Sequence, residues 1–402
     1  MKKFTYQAKD KATNEVVSSM VQAESEASAA KVLIEQGLMP LDIKEIDENG
    51  SFIAKFTGRI TTKDKIIFLR QLSTLIGAGL PLSQSMRTVL DQTQNKQMQR
   101  VIEEIIADVE GGHTLSDAFG KHPDVFDKIV LALIAAGEAS GTLDEALKRV
   151  ATQKEKDAAM IGKIRGAMVY PAIVMAVILG VMIFMLVAVV PQVAKLYEDM
   201  NRSLPFLTAV MIAAANFLIN FWWLAIAVIV AVVYFSLQYF KTDSGIRVKD
   251  QLKLNVPIFS GMFRKLYMAR FTRTGQTLLA TGVAMLDMLR ISSDGTNNVI
   301  ISASIDRAAE KVKGGKALSA SLQPEDYILP MVPQMIKSGE QSGKIDEMMG
   351  KTAQVYEDEL DEEIKAISTA IEPILMVVLA VFAGGMVGAI LFPIYSLVGG
   401  IR

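Results

Sequence analysis

The residues best placed to do chemistry in this 402-residue chain come in pairs. Glu138 stands in Gly137-Glu138-Ala139-Ser140-Gly141, and Glu340 in Gly339-Glu340-Gln341-Ser342-Gly343. A carboxylate beside a glycine turn can meet a partner protein, a second carboxylate or a cation. The same carboxylate can also simply end one helix and balance the dipole of the next. Arg70 and Arg273 are the matching cations, open to a partner contact or to an internal salt bridge. Glu357, Asp358, Glu359, Asp361, Glu362 and Glu363 form an acidic run, which reads as a solvated helix face or as a docking strip for a basic surface. His113 has no second ligand near it in sequence and reads as a polar loop residue.

Other chemistries lack their parts. With no cysteine, thiol catalysis, zinc–thiolate sites and iron–sulfur clusters are excluded. Two histidines, His113 and His122, leave little for His-based metal sites or Ser-His triads. The stretch from Gly339 to Lys344 misses a phosphate-binding loop in spacing and lacks the hydroxyl residue, so no nucleotide hydrolysis is expected. Forty-two basic against 43 acidic residues give a net charge of −1, which offers nucleic acid no basic field. The expectation is a non-enzyme without cofactor, metal or nucleic-acid partner.

The elements that position the paired residues follow from the distribution of charge. Windows 166–194, 203–240 and 373–401 contain no Asp, Glu, Lys or Arg. Each is longer than the roughly 20 residues that cross a bilayer core. The sequence therefore predicts three transmembrane helices. Trp222, Trp223, Tyr234 and Tyr239 suit interfacial belts and place the middle span near 221–239, after an apolar helix at the outer surface. No apolar leader follows Met1-Lys2-Lys3. Lys154, Lys156, Lys163 and Arg165 precede the first span, and Lys241, Arg247, Lys249 and Lys253 follow the second. The positive-inside rule then puts 1–165 and 241–372 in the cytoplasm and the 192–203 link outside. Alternation leaves the C-terminus outside.

The chain also repeats itself. At an offset of 203, Phe68, Arg70, Thr74, Leu75 and Gly79 match Phe271, Arg273, Thr277, Leu278 and Gly282, and Leu115-Ser116 matches Leu318-Ser319. At an offset of 202 the two Gly-Glu-x-Ser-Gly motifs align, as do Asp144-Glu145 with Asp346-Glu347, Pro171 with Pro373 and Pro191 with Pro393. A cytoplasmic unit followed by a span has been duplicated, with the middle span joining the copies.

Each copy reads as helical. Apolar spacing over 66–75 stops at Gly77-Ala78-Gly79-Leu80-Pro81, a helix–helix turn. Thr61 to Asp64 and Thr114 to Asp117 fit capping patterns, and Thr142 opens a helix with Glu145 at its third position. Helices of 10–20 residues joined by short turns imply antiparallel bundles. The first fifty residues differ. Phe4, Tyr6 and Ala8 alternate, as do Val17, Ser19 and Val21, with a turn at Asn14, a short helix over 27–36 and an extended run over 38–46.

The divisions expected are a small N-terminal α/β module over 1–50, a first cytoplasmic bundle over 61–165, transmembrane helix 169–190, an outer-surface helix with the second span over 204–240, a second bundle over 264–371, and transmembrane helix 373–398. Gly384 and Gly388 form a small-xxx-small pair in the last span, where backbones can approach closely.

Phe68-Leu69-Arg70-Gln71-Leu72, Ala78-Gly79-Leu80-Pro81-Leu82, the motif Gly137-Glu138-x-Ser140-Gly141-x-Leu143-Asp144 and the doubled helical domain resemble the type II secretion system F family, which includes inner-membrane platform proteins of type IV pilus assembly. Phe4-x-Tyr6-x-Ala8 is similar to the N-terminal extension of many pilus-type members. The chain departs from the family at Asn14-Glu15, where a turn glycine is common, and at Arg273-Thr274-Gly275 in the second copy. The resemblance implies an all-α membrane protein with six-helix cytoplasmic bundles, self-associating as a homo-oligomer in the cytoplasmic (inner) membrane. It implies a non-catalytic role coupling a hexameric assembly or retraction ATPase to pilins or pseudopilins, alongside other inner-membrane assembly proteins. The rival expectation is an oligomeric transporter or channel component, against which stands the absence of ionisable groups in the first and third spans.

Overall fold

The computed structural model describes residues 2–10, 16–23, 38–45, 59–192, 206–257 and 259–399, with the isolated positions 28, 30 and 195. The chain divides into two compact units, Met1–Asp64 with Gln92–Glu103, and Lys65–Asp91 with Glu104–Arg402.

In the first unit, strands β1 (Lys2–Asp10), β2 (Val16–Ala23) and β3 (Leu38–Glu45) form an antiparallel sheet in the order β2-β1-β3. Tyr6 stands opposite Ser19 on one side and Ile43 on the other, and the β1–β3 register shifts between Gln7 and Ala8. The turn at Asn14 lies outside the described residues, as does most of the helix expected over 27–36, of which Ser28 and Ala30 are described and helical. Further along, Thr61 and Asp64 form a reciprocal cap: the Thr61 amide donates to Asp64 Oδ2 at 2.8 Å, and the Asp64 amide donates to Thr61 Oγ1 at 3.2 Å. Asn95 Nδ2 donates to the same carboxylate at 3.0 Å. Burial works to raise the Asp64 carboxyl, but the Thr61 and Asn95 hydrogen bonds outweigh it and hold the group below its usual range.

The second unit carries the body of both repeats. The first repeat comprises α1 (Thr62–Gly77), α2 (Leu82–Gln92), α3 (Lys96–Glu110), α4 (Leu115–Gly120), α5 (Lys128–Ser140) and α6 (Leu143–Phe184). The second comprises α10 (Ser260–Leu279), α11 (Met285–Gly295), α12 (Val299–Lys313), α13 (Leu318–Leu322), α14 (Met331–Ser342) and α15 (Ile345–Gly399). Between them lie α7 (Phe206–Asn220), α8 (Trp222–Tyr239) and α9 (Asp243–Asn255). Each repeat thus holds six helices, matching the tandem-bundle expectation.

The turns follow from glycine. Gly79 and Gly282 sit at φ 87° and 82°, a left-handed conformation that side chains other than glycine rarely adopt, and so end the first helix of each repeat at equivalent points. Phe68, Phe119 and Phe126 are buried together, Phe119 stacking on Phe126 with centroids 4.1 Å apart. Each such ring contributes about 2–3 kcal/mol of burial energy. Phe271, Leu278, Met288, Leu289, Met349 and Leu360 form the second core, where α10 packs along α15.

One expectation needs revision. The sequence reads as bundles of helices 10–20 residues long joined by short turns. Instead α6 runs 42 residues and α15 runs 55, each leaving its bundle and continuing through the uncharged window. Pro171 lies inside α6, and a π-turn at Met185–Val189 interrupts its far end. Among the described residues three helices are long and apolar enough to cross a membrane: Leu143–Gln192, Trp222–Tyr239 and Ile345–Gly385. Their surfaces agree, for Phe235 is 69% exposed and Val381 71% exposed, a state that only lipid or another apolar surface accommodates. Helix α7 ends at Asn220 and packs on the π-turn and on α15, so the long middle window is two helices broken at Phe221.

Candidate functional site

Both Gly-Glu-x-Ser-Gly motifs form the corner where the fifth helix of a repeat turns into the sixth. The first glycine lets the two helices touch: a Cβ on Gly137 would lie 2.4 Å from Ala146 Cβ, and one on Gly339 would lie 2.7 Å from Ile345 Cα. Ser140 and Ser342 donate back to the carbonyls of Ala136 and Ser338, each at 2.8 Å. The last glycines, Gly141 and Gly343, take φ 73° and 70°. The chain then closes with Thr142 N–H on Gly137 O at 2.8 Å and Lys344 N–H on Gly339 O at 2.9 Å.

The glutamates reach across to the short fourth helix. Glu138 accepts from the Leu115 and Ser116 amides at 2.5 and 2.9 Å, at the N-terminus of α4. Glu340 accepts from the Ser319 amide at 3.1 Å and from Ser319 Oγ at 2.5 Å, at the N-terminus of α13. A carboxylate there satisfies orphan N–H groups and faces the positive end of the helix dipole. Both glutamates are half-buried, and their oxygens are committed to these caps. Thr142 departs from its expected role: it makes no side-chain cap, and its Oγ1 pairs with Ser140 Oγ at 2.7 Å instead. Thr114 caps as expected, accepting from the Asp117 amide.

The two arginines also find internal partners. Arg70 Nε donates to Glu155 Oε1 at 2.9 Å, and its Nη2 pairs with the other oxygen. The Glu155 hydrogen bond holds the guanidinium above its ordinary range. Arg273 grips Glu357 in the same two-pronged way at 2.7 and 2.9 Å. Glu155 and Glu357 align at the same offset of 202 as the motifs. That self-match is legible in the sequence alone.

The repeats meet along α5 and α6 of the first and α10, α11 and α15 of the second. Lys128 pairs with Asp294 at 2.6 Å, Lys156 with Glu357 at 3.1 Å, and Lys163 with Asp361. Ile129 packs close against Gly295. Asp157 faces Arg270 at 3.8 Å, too far for a hydrogen bond. Burial pushes the Asp157 carboxyl upward, with Arg270 pulling against it. Lys265 pairs with Glu359 and Glu363 at 3.3 and 2.8 Å. The acidic run is therefore no free solvated face, because Glu357, Glu359, Asp361 and Glu363 all hold cations of this chain.

Gly384 and Gly388 are exposed, with nothing within 4 Å of a Cβ built on either, so they meet no neighbour among the described residues. Among the described residues the His113 ring is paired only through Nδ1, which lies 3.2 Å from the Asp108 carbonyl oxygen of its own turn. Among the described residues no group of three metal-ligating side chains converges.

A tandem helical bundle, each copy continuing into a membrane-crossing helix, defines a multi-pass membrane protein built by duplication. The chain belongs to the family described as Type II secretion system (T2SS), protein F, whose model matches residues 68–191 and 271–393, one match per repeat with its span included. The N-terminal domain model of the same family matches residues 1–44. A type IV pilus assembly protein PilC of Thermus thermophilus is 34% identical over 401 residues, covering 98% of each chain. PilC of Pseudomonas aeruginosa is 35% identical over 367 residues, 91% of this chain and 97% of its own. A type II secretion system protein F of Xanthomonas campestris pv. campestris is 33% identical over 403 residues, 99% of each.

Proposed function

We propose that this chain is the inner-membrane platform of a type IV pilus or type II secretion machine, coupling a cytoplasmic hexameric ATPase to the extraction and assembly of pilins or pseudopilins, with no catalysis of its own. The observation that carries this reading is the continuity of α6 and α15 from bundle into span, which joins a surface able to engage a motor to a surface able to engage pilin helices. Family membership and relatives named for pilus assembly and for secretion support it.

In this reading residues 1–165 and 241–372 are cytoplasmic and the C-terminus is outside. Residues 1–50 form a small α/β module, and the bundles and spans divide at the boundaries given above. Arg70 exposes 39% of its side chain against 14% for Arg273, and Glu138 and Glu340 brace the contact surface from their half-buried caps. Gly384 and Gly388 offer a close-packing face to a pilin helix or to another copy.

The absence of cysteine makes the test direct. Single cysteines placed on the 61–165 surface and on α8 are crosslinked in living cells, and the captured proteins identified by mass spectrometry. Capture of a hexameric ATPase from the bundle and of prepilins from the span establishes the reading. Normal filaments in cells lacking this chain, or capture of this protein alone in an assembled machine, defeats it.

A further inference from the structure

A cavity of about 430 Å³ opens between the repeats, where α6 lies beside α10. It is lined by Lys148, Arg149, Lys156 and Arg273, with Glu145 as the one lining carboxylate among the described residues. Thr152, Gln153, Gln276 and Thr277 complete the wall. Its size falls in the usual range of small-molecule sites, roughly 300–1,000 Å³.

The charges in this cavity are not all spent on one another. Glu357 draws Arg273 and Lys156 from one side, leaving Arg273 Nη1 with only a long 3.4 Å contact to Gln276. Arg149 is 3.7 Å from Glu145, and Lys148 is exposed with no ion-pair partner among the described residues. Gln153 is the second sign of a built site. It is 3% exposed, borders the cavity, and has no hydrogen-bond partner among the described residues. Its amide atoms are not among the fully enclosed polar atoms left without a partner, and as part of the cavity wall they can be reached by a ligand's oxygens.

We infer that this cavity binds a soluble small molecule bearing two or more phosphate groups, held by Lys148, Arg149, Lys156 and Arg273 and oriented by the Gln153 amide. Guanidinium forks and ammonium groups around a hydrogen-bonding wall suit phosphate oxygens. Among the described residues no aromatic side chain lines the cavity, so recognition falls on the phosphates rather than on a base. A lipid headgroup is the other source of the same chemistry. Lys156 lies ten residues ahead of the uncharged window, and Lys148 eighteen, which is about 15–27 Å along the helix and too far for a headgroup in the bilayer. The site is independent of which machine the protein serves.

The test is titration of the full-length protein in phosphatidylcholine nanodiscs with pyrophosphate, followed by calorimetry. Saturable one-to-one binding that weakens with added salt is expected, with orthophosphate and sulfate at least about tenfold weaker. Lys148→Glu, an exposed position that leaves the fold alone, should weaken pyrophosphate by about tenfold or more. Gln153→Leu, similar in volume, should weaken it while leaving helical content by circular dichroism unchanged. No saturable binding at millimolar pyrophosphate overturns the inference. So does binding indifferent to both variants, which is adventitious. Loss of pyrophosphate binding when phosphatidylglycerol replaces part of the phosphatidylcholine assigns the site to lipid and overturns the soluble ligand.

Discussion

Where the first repeat sets Glu104 of α3 3.6 Å from His122, the second sets Arg307 of α12 against Glu325, so at an offset of 203 the carboxylate has moved from the helix to the position facing it. The next turn of the helix is exchanged too: Asp108 meets Lys121 at 2.6 Å in the first repeat, while Lys311 at the equivalent position meets Glu325 at 3.1 Å in the second, Lys121 itself aligning with Pro324. The attraction depends on the product of the charges, so either arrangement closes the same corner. The exchange still matters within one chain. Duplicated halves can in principle trade helices during folding, and trading α3 for α12 would set Glu104 against Glu325 and Arg307 against His122. The first is a like-charge clash outright, and the second becomes one when His122 is protonated.

The cores differ by a similar compensation. Leu72, Ser85 and Leu147 in the first repeat correspond to Gly275, Met288 and Met349 in the second, all buried. A Cβ on Gly275 would lie 2.2 Å from Met349 Cε and 3.2 Å from Met288 Sδ. Two methionines therefore fill the space that a leucine fills in the other copy, which is what an unbranched, flexible side chain does well. The apparent break in the family pattern at Arg273-Thr274-Gly275 is a repacking.

The largest effect should come from forcing one core onto the other. Leu72→Gly lacks the methionines of the second repeat and should cost about 4–5 kcal/mol, combining a cavity with glycine in a helix. Gly275→Leu should cost only about 2 kcal/mol through overpacking, because Met349 can move, and Met349→Ala should recover much of it. Hydrogen exchange resolved by bundle checks both. Equal losses in the two repeats would remove the compensation.

The exchanged ion pairs come next. Glu325 is 6% exposed while Glu104 is 67% exposed. Glu325→Gln should cost about 2–3 kcal/mol and Glu104→Gln under about 0.5 kcal/mol in denaturant unfolding. Burial tends to raise the Glu325 carboxyl, but Arg307 and Lys311 outweigh it and hold the group below its ordinary 4.5. A depressed carboxylate contributes stability above its unfolded value and loses it as pH falls through the folded one. Acid unfolding of the second bundle should therefore set in below about pH 4.5, and Glu325→Gln should flatten that limb.

The smallest effect concerns the two arginine clasps. Arg273 and Glu357 are about 14% and 13% exposed and share Lys156, whereas Arg70 and Glu155 are both 39% exposed. Glu357→Gln should cost about 1–2 kcal/mol and loosen the repeats from each other, while Glu155→Gln should cost under about 0.5 kcal/mol. A thermal shift assay in detergent separates them. If Glu155→Gln nevertheless abolishes filament assembly, the first clasp belongs to a partner surface.

Much of this architecture was legible. Uncharged windows gave the three spans, glycine and proline gave the turns, and self-matching at offsets 202 and 203 gave the duplication. The break at Phe221 followed from window length and aromatic placement. What escaped was whatever identity matching cannot see. Exchanged charges and a leucine replaced by two methionines register as mismatches, although the geometry is kept. The pairing of Glu359 with Lys265 and of Asp361 with Lys163 depends on how the repeats dock, which no spacing within one helix reports. The Gly-Glu-x-Ser-Gly motif was visible as a motif. That its glutamate caps a helix twenty-odd residues upstream required the fold.

The length of α15 has a mechanical consequence. Fifty-five helical residues make a beam of about 80 Å, and the forty-two of α6 one of about 63 Å. Rocking a bundle by about 5° would swing the far end of the longer beam by about 7 Å, five residues of helical rise. Pro171 and the π-turn at Met185–Val189 are the places where the shorter beam can bend. Pro373 and Pro393 lie inside the longer one and each removes a backbone hydrogen bond, so a rotation at one end of either rod reaches the other end only as far as these points stay stiff.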